Sequence, residues 1–204
     1  MSAASSGHPG LLLVISGPSG VGKTTITRAI TERFDAVFSV SATTRPKTAA
    51  DVEGRDYFFQ SPDEFQRKIE QGEFLEHANV FGRCYGTPRG PVEASLAKGR
   101  VVVLEIDVQG ALQVRRSMPD AFMIFILPPD ETTLERRLRT RARDSEEDMQ
   151  RRLGEARKEI SVARDSGAYD RLIINETLEQ AIAETTSEIE AELERRRAAA
   201  SRTG

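Results

Sequence analysis

A chain of 204 residues with 30% charged and 38% hydrophobic residues has the length and balance of one globular domain with room for small inserted subdomains. Its net charge of −3 speaks against a general nucleic-acid or membrane-surface binder, and its longest apolar run, seven residues at 121–127, falls far short of the roughly 20 that a membrane span needs. Cys84 is the only cysteine, which excludes an internal disulfide and suits a reducing cytoplasm; neither His8 nor His77 has a Cys or His at metal-ligand spacing, so no zinc site is expected.

Residues 1–10 lack the charged and apolar regions of a secretory signal and read as a frayed terminus. An apolar strand at 11–15 then leads into Gly17-Pro18-Ser19-Gly20-Val21-Gly22-Lys23-Thr24, followed by Thr25 and an amphipathic segment. This is the P-loop pattern in strand–loop–helix context. Glycines at 17, 20 and 22 let the backbone turn its N–H groups towards an anion, and the start of the next helix adds unpaired N–H groups and a positive dipole end. Lys23 can reach the β- and γ-phosphates, and the Thr24 hydroxyl can ligate Mg²⁺. The stretch therefore binds a nucleoside triphosphate.

Ile26, Ile30 and Phe34, four apart, mark the helix face that packs on the sheet. Residues 36–40 form a short strand running into Ser41-Ala-Thr-Thr-Arg45-Pro46, where Pro46 holds Arg45 extended. A polar loop covers 47–56, and 57–59 is a β-type aromatic cluster. Ser61 and Glu64 make a capping box with Pro62 at the first helical position; Phe65 and Ile69 face inward and Gly72 ends the helix. Residues 74–85 alternate around Phe81-Gly-Arg83, a hairpin signal. Thr87-Pro88 is placed to cap a helix that closes at Gly99.

The apolar run at 101–106 is a central parallel strand with Asp107 at its C-terminal end, 108–116 a helix, and 121–127 another buried strand ended by two prolines. Leu134 and Leu138 give the next helix its face, and seven arginines fall between 136 and 152. Met149, Leu153, Ala156, Ile160 and Ala163 form the stripe of a long amphipathic helix. A last strand at 171–174 precedes a capping box at 177–180 and a terminal helix; 196–204 reads as frayed.

Alternating strands and helices predict an α/β fold with a doubly wound parallel sheet. Residues 41–86 break that rhythm and read as an inserted small α+β subdomain. Ligands gather at the C-terminal edge of such a sheet, where Gly17, Ser41 and Asp107 would lie.

The motifs at 17–24, Ser-x-Thr-Thr-Arg at 41–45, Gly-x-Asp-Tyr-x-Phe at 54–59, Tyr-Gly-Thr at 85–87, Glu-Ile-Asp-x-Gln-Gly at 105–110 and Arg-Leu-x-x-Arg…Asp-Ser-Glu-Glu at 137–147 resemble guanylate kinase, in that order and spacing. The resemblance covers about 11–195. It implies one domain: a P-loop core (11–40, 87–136 and 153–195), a GMP-binding subdomain (41–86) and a helical lid (about 137–152). It also implies transfer of the ATP γ-phosphate to GMP with Mg²⁺, in purine nucleotide metabolism in the cytoplasm. GMP-binding roles fall by position on Ser41, Arg45, Tyr57, Glu76, Tyr85, Thr87 and Glu105, and catalytic roles on Lys23, Arg45, Arg137, Arg141 and Arg152. Asp107 matches the family's aspartate near metal and phosphates, acting directly or through water, and Asn175 falls near the adenine base.

The chemistry asks for these types. Phosphoryl transfer needs positioning and positive charge around the moving PO₃, which planar arginine forks supply better than lysine. Without the motif, the 136–152 arginines read as a solvated helix face paired with Glu135, Glu146, Glu147 and Asp148. Tyr57 and Tyr85 have an aromatic-core reading beside the phosphate-binding one, and Glu76 that of an exposed strand position. Glu105, inside an apolar strand, needs a partner or a ligand.

Two positions depart from the family's pattern: Thr48 stands where a second phosphate-binding arginine is usual, and Ala142 follows Arg141 where Gly is frequent. Two other readings stay open on the sequence: a non-catalytic guanylate-kinase-like binding module, or a P-loop kinase for another phosphorylated acceptor. A GTPase is disfavoured because no Asn-Lys-x-Asp motif occurs.

Overall fold

In the computed structural model, which describes residues 10–80, 82–139 and 145–203, the first strand is β1, Leu11–Ser16, buried along its whole length. The P-loop joins it to α1, Lys23–Arg33. The strands β2 (Val37–Phe38), β3 (Ala42–Thr43) and β4 (Phe58–Phe59) are two residues each. The helix α2, Pro62–Glu70, starts as the capping box requires: the Ser61 hydroxyl accepts the Glu64 N–H at 3.1 Å. A hairpin follows, β5 (Phe74–Val80) and β6 (Arg83–Pro88), then α3 (Arg89–Leu96) and β7 (Val101–Glu105). The second half runs α4 (Val108–Ser117), β8 (Phe122–Leu127), α5 (Glu131–Arg139), α6 (Glu146–Asp165), β9 (Arg171–Ile174) and α7 (Leu178–Thr203).

The main sheet has the order β2-β7-β1-β8-β9 with every pairing parallel. Side chains alternate across it. Leu11, Leu13 and Ile15 enter one layer with Ile26 and Ile30 of α1 and Ala181 and Ile189 of α7. Leu12 and Val14 enter the other with Val92 of α3 and Ala111 and Val114 of α4. Each fully buried aliphatic contributes about 1.5–3 kcal/mol, so both layers are needed and the sheet is doubly wound as expected. Because the strands are parallel, the segments after β1, β7, β8 and β9 all open on one edge, and these are the P-loop, Asp107, 128–130 and Asn175.

Residues 42–88 build a second sheet, β4-β3-β6-β5, closed on one side by α2 through Phe65, which stacks on Phe74 with ring centroids 4.4 Å apart. This is the segment whose short strands broke the sequence rhythm.

Three local expectations are corrected. The helix after β6 has no side-chain cap: Thr87 belongs to the strand and its hydroxyl turns to Glu76. The strand expected at 36–40 is reduced to its two residues paired with β7. The terminal helix continues through 196–203 rather than fraying, because Arg196 is held on Glu192 and reaches the carbonyls of Gly10 and Asp120. The frayed ends otherwise expected, at 1–9 and 204, lie outside the described residues.

Candidate active site

The P-loop turn ends at Gly22, whose φ of +101° precedes a helix that no side chain caps. The N–H groups of the first turn of α1 are therefore left for a ligand, with the dipole behind them. Lys23 folds its ammonium over the loop, donating to the carbonyls of Gly17 and, at 3.0 Å, Pro18. Arg152, near the start of α6, donates to Ser19 Oγ at 2.9 Å, so it reaches the same loop. The helix that carries it begins where Ser145 accepts the Asp148 N–H, with Glu146, Glu147 and Asp148 in its first turn. Arg137 of α5 donates to the carbonyls of Asn175 and Glu176 at 3.0 and 3.3 Å. Arg141 lies outside the described residues, as do 140 and 142–144 of the expected lid. Arg139 and Arg151 are spent on exposed carboxylates, which is the solvated-face reading for these two.

Asn175 is 3% exposed, and its side-chain amide donates to the Val21 carbonyl at 2.7 Å. A Cβ on Gly22 would sit 2.7 Å from that same Nδ2, so glycine is required there by space as well as by φ.

The Thr24 hydroxyl donates to Glu105 Oε1 at 2.7 Å, which partners the carboxylate that looked out of place in an apolar strand. Asp107 caps α4 by accepting the Gly110 N–H at 2.8 Å. Among the described residues no three His, Cys, Asp or Glu side chains gather to hold a metal alone. One hydroxyl with nearby carboxylates nevertheless fits Mg²⁺, which keeps several waters and takes its other oxygens from substrate phosphates.

Across from the P-loop, Glu76 of β5 is buried at 7% exposure and accepts the Thr87 hydroxyl at 2.6 Å. This is not the exposed strand position of the ordinary reading. Burial raises the Glu76 carboxyl above its usual range and the Asp107 charge adds to that, while the Thr87 hydrogen bond opposes it. Gly110 lets this carboxylate approach: a Cβ there would lie 3.1 Å from Glu76 Oε2 and 3.5 Å from Asp107 Oδ1. Gln113 clamps β5 to α4, accepting from His77 N at 3.1 Å and donating to His77 O at 3.0 Å, and Ser117 donates to Leu75 O at 3.0 Å.

Arg45 is paired end-on with Asp51, Nη1 to Oδ2 at 3.0 Å and Nη2 to Oδ1 at 2.8 Å. Asp51 also accepts the Thr48 N–H and hydroxyl, each at 2.7 Å, and these bonds hold its carboxyl well below the usual range, Arg45 contributing most. The Arg45 guanidinium lies 5.3 Å from the ring centroids of both Tyr57 and Phe59, and Tyr57 meets Tyr85 edge-on at 5.9 Å. Its Nη1 donors are taken by Asp51 and the Pro46 carbonyl, which leaves Nε–H and one Nη2–H as a fork of the shape that grips phosphate. Ser41 is half-buried at the start of this sheet, its carbonyl accepting the Phe58 N–H at 2.9 Å.

The structure also places groups that sequence reasoning did not single out. Glu159 of α6 has its carboxyl pushed up to about 7 by burial, with Lys23 pulling the other way and Asp107 and Glu155 adding to the rise. Asp51 and Gln113 belong to a polar loop and an ordinary amphipathic helix, where nothing in the spacing marks them. Gly110 sits inside a motif but has no side chain to suggest a role.

A family model described as guanylate kinase matches residues 10–192. The guanylate kinase of Thermosynechococcus vestitus is 49% identical over 176 residues, covering 86% of this chain and 91% of the relative. That of one strain of Thermus thermophilus is 44% identical over 189 residues, covering 93% and 83%. A crystal structure of guanylate kinase from Anaplasma phagocytophilum superposes with a TM-score of 0.68 at 35% identity, covering 93% of this chain and 89% of that one.

Proposed function

The chain belongs to the guanylate kinase family, and from that premise we propose how its residues carry the γ-phosphate of ATP to GMP. The reaction is ATP:GMP phosphotransfer. An oxygen of the GMP phosphate attacks the γ-phosphorus, the bond from that phosphorus to the bridging oxygen breaks, and ADP leaves with the electron pair. The acceptor is already an anion at neutral pH, so no strongly tuned base is needed.

ATP lies with its phosphates on Gly17–Thr25, inside the N–H groups of the P-loop and α1, with Lys23 exchanging its loop carbonyls for phosphate oxygens. GMP lies on the second sheet. Glu76 accepts from the base, supported by Thr87 with Glu105 nearby and with Ser41 donating to O6. The free fork of Arg45 takes the phosphate beside the phenols of Tyr57 and Tyr85. Arg137, Arg141 and Arg152 come from the lid side to neutralise the charge that spreads over the transferring group. Thr24 and Asp107, the latter directly or through water, would hold Mg²⁺, which would supply positive charge to offset that of the phosphates. We place the protein in the cytoplasm, on the support of its single half-buried thiol, Cys84.

One observation carries this reading: a continuous line of contacts joins the two half-sites. It runs from the Thr24–Glu105 hydrogen bond along the end of β7 to Asp107, and through Gly110 to Glu76 and Thr87. The test is a coupled ADP-release assay with ATP across GMP, AMP, dGMP, UMP and ribose phosphates, on wild type and Lys23→Met. GMP is expected to be strongly preferred. The folded Lys23→Met variant should lose roughly 10²–10³ in kcat, the scale of one lost charge-stabilising contact. A folded variant with near-normal kcat would sink the reading.

A further inference from the structure

Asn175 stands where four parts of the molecule meet. Its backbone N–H donates to the Leu127 carbonyl at the end of β8 at 2.8 Å, and its own carbonyl accepts Arg137 of α5. It lies between β9 and α7, and its side chain reaches the Val21 carbonyl across 154 positions of sequence. A carbonyl can only accept, so the atom 2.7 Å from Val21 O must be the amide nitrogen, and the orientation of the side chain is fixed by chemistry. Val21 is fully buried and precedes the left-handed Gly22, which packs directly against the same amide.

We propose that Asn175 is a positioning residue for the P-loop: its amide holds the Val21–Gly22 peptide so that the turn presents its N–H groups to the triphosphate. The inference rests on the P-loop being the triphosphate site. One amide N–H is spent on the Val21 carbonyl, and the amide oxygen is buried among the P-loop and its neighbours. Losing the amide would leave the Val21 carbonyl buried without a donor, and the turn would shift towards another partner or towards water. The loop's anion-binding geometry would then be one of several conformations. Because Arg137 docks on the same residue, its approach would loosen too.

A base-reading role and a loop-positioning role differ in what they do to different phosphates. The experiment measures binding of ATP, GTP, inorganic triphosphate and GMP to the full chain by calorimetry, with steady-state KM and kcat beside it. The variants are Asn175→Ala and the isosteric Asn175→Asp, which keeps the volume but, when ionised, has no N–H to give. Expected is a loss of about tenfold in affinity, the scale of one buried hydrogen bond, equal for ATP, GTP and inorganic triphosphate. KM for ATP rises with it, kcat falls, and Kd for GMP stays within twofold. The proposal is overturned if ATP weakens while inorganic triphosphate does not, because that marks a base contact. It is overturned equally if all ligands including GMP weaken together, or if both variants fail to fold, because that marks a general structural role. A wild-type chain that binds no triphosphate would instead refute the functional reading beneath it; wild-type binding with unaffected variants refutes only this inference.

Discussion

Glu76 owes its place to an atom that is missing. Guanine offers two adjacent donors, N1–H and the 2-amino group, and an ionised carboxylate accepts both, whereas it meets the N1 lone pair of adenine with repulsion. In the proposed site the Glu76 carboxylate would have to be held in position and kept ionised when GMP arrives, although burial and Asp107 favour its neutral form. Thr87 holds one oxygen, and the other rests 3.1 Å from where a side chain on Gly110 would begin. In Gly110→Ala the new methyl crowds Glu76 Oε2, which must give by a few tenths of an ångström, whereas Asp107 Oδ1 at 3.5 Å stays in ordinary contact. Overpacking of this kind costs about 1–3 kcal/mol. We expect the KM for GMP to rise about tenfold while KM for ATP is unchanged; steady-state kinetics with both substrates varied would settle it, and an unaltered KM for GMP would show that Glu76 has room to move. At this scale the sequence marks the side chains that carry charge or a hydroxyl inside a motif, such as Arg45, Thr87 and Asp107, and Glu76 by its position alone. It cannot mark Gly110, whose role is an absence, or Asp51, whose pairing with Arg45 is a matter of loop geometry six residues on.

The helix α6 shows how one element serves two opposite charges. Arg152 and Glu159 are seven apart and so share a face, with Arg152 on Ser19 and Glu159 within the field of Lys23. Glu159 has a folded-state pKa of about 7 against an ordinary value of 4.5. A raised carboxyl contributes stability that is fully present below the unfolded value and is lost as pH rises through the folded one, here between about 4.5 and 7. The full linkage would be about 3 kcal/mol, reduced by the solvent that reaches this half-buried group. Glu159→Gln should therefore remove that slope. Without nucleotide, the variant should gain stability relative to wild type on going from pH 5 to pH 8. Calorimetric unfolding at the two pH values checks this, and parallel shifts of both proteins would show that Glu159 ionises normally. The element itself was plain from the sequence, because its apolar stripe and acidic first turn are local signals. Its polar face was not, because the same stripe of charges describes a helix in water. Of the two-residue strands, 58–59 lies in the aromatic cluster read at 57–59, but 42–43 is hidden: it exists through pairing with β4 and β6, and no periodicity fits in two residues.

For the molecule as a whole, the described cations of the site arrive from separate bodies and rest on protein acceptors. Lys23 rests on P-loop carbonyls, Arg152 on Ser19, Arg137 on the corner after β9, and Arg45 on Asp51 of the second sheet. In the proposed reaction these groups would exchange those acceptors for phosphates held between the two sheets. The near end of β5 is fixed on α4 by Gln113 and Ser117, so Glu76 keeps its distance from Asp107. We propose that closure needs both substrates, since the GMP phosphate would engage the donors that Arg45 does not spend on Asp51 and Pro46, while Arg137 and Arg152 would exchange their protein acceptors for ATP phosphates. It also expels the water that would otherwise take the γ-phosphoryl group. We therefore expect ATP hydrolysis without GMP to run at least about 100-fold below phosphorylation of GMP, since an open site lacks both the assembled charge and the aligned acceptor. Guanosine, which fills the base site but offers Arg45 no phosphate, should leave hydrolysis at that low rate. Phosphate and ADP release, followed in parallel with ATP alone, with guanosine and with GMP, makes the comparison. Hydrolysis as fast as GMP phosphorylation, with or without guanosine, would mean that the charges are assembled before the acceptor arrives, and that closure does not gate the reaction.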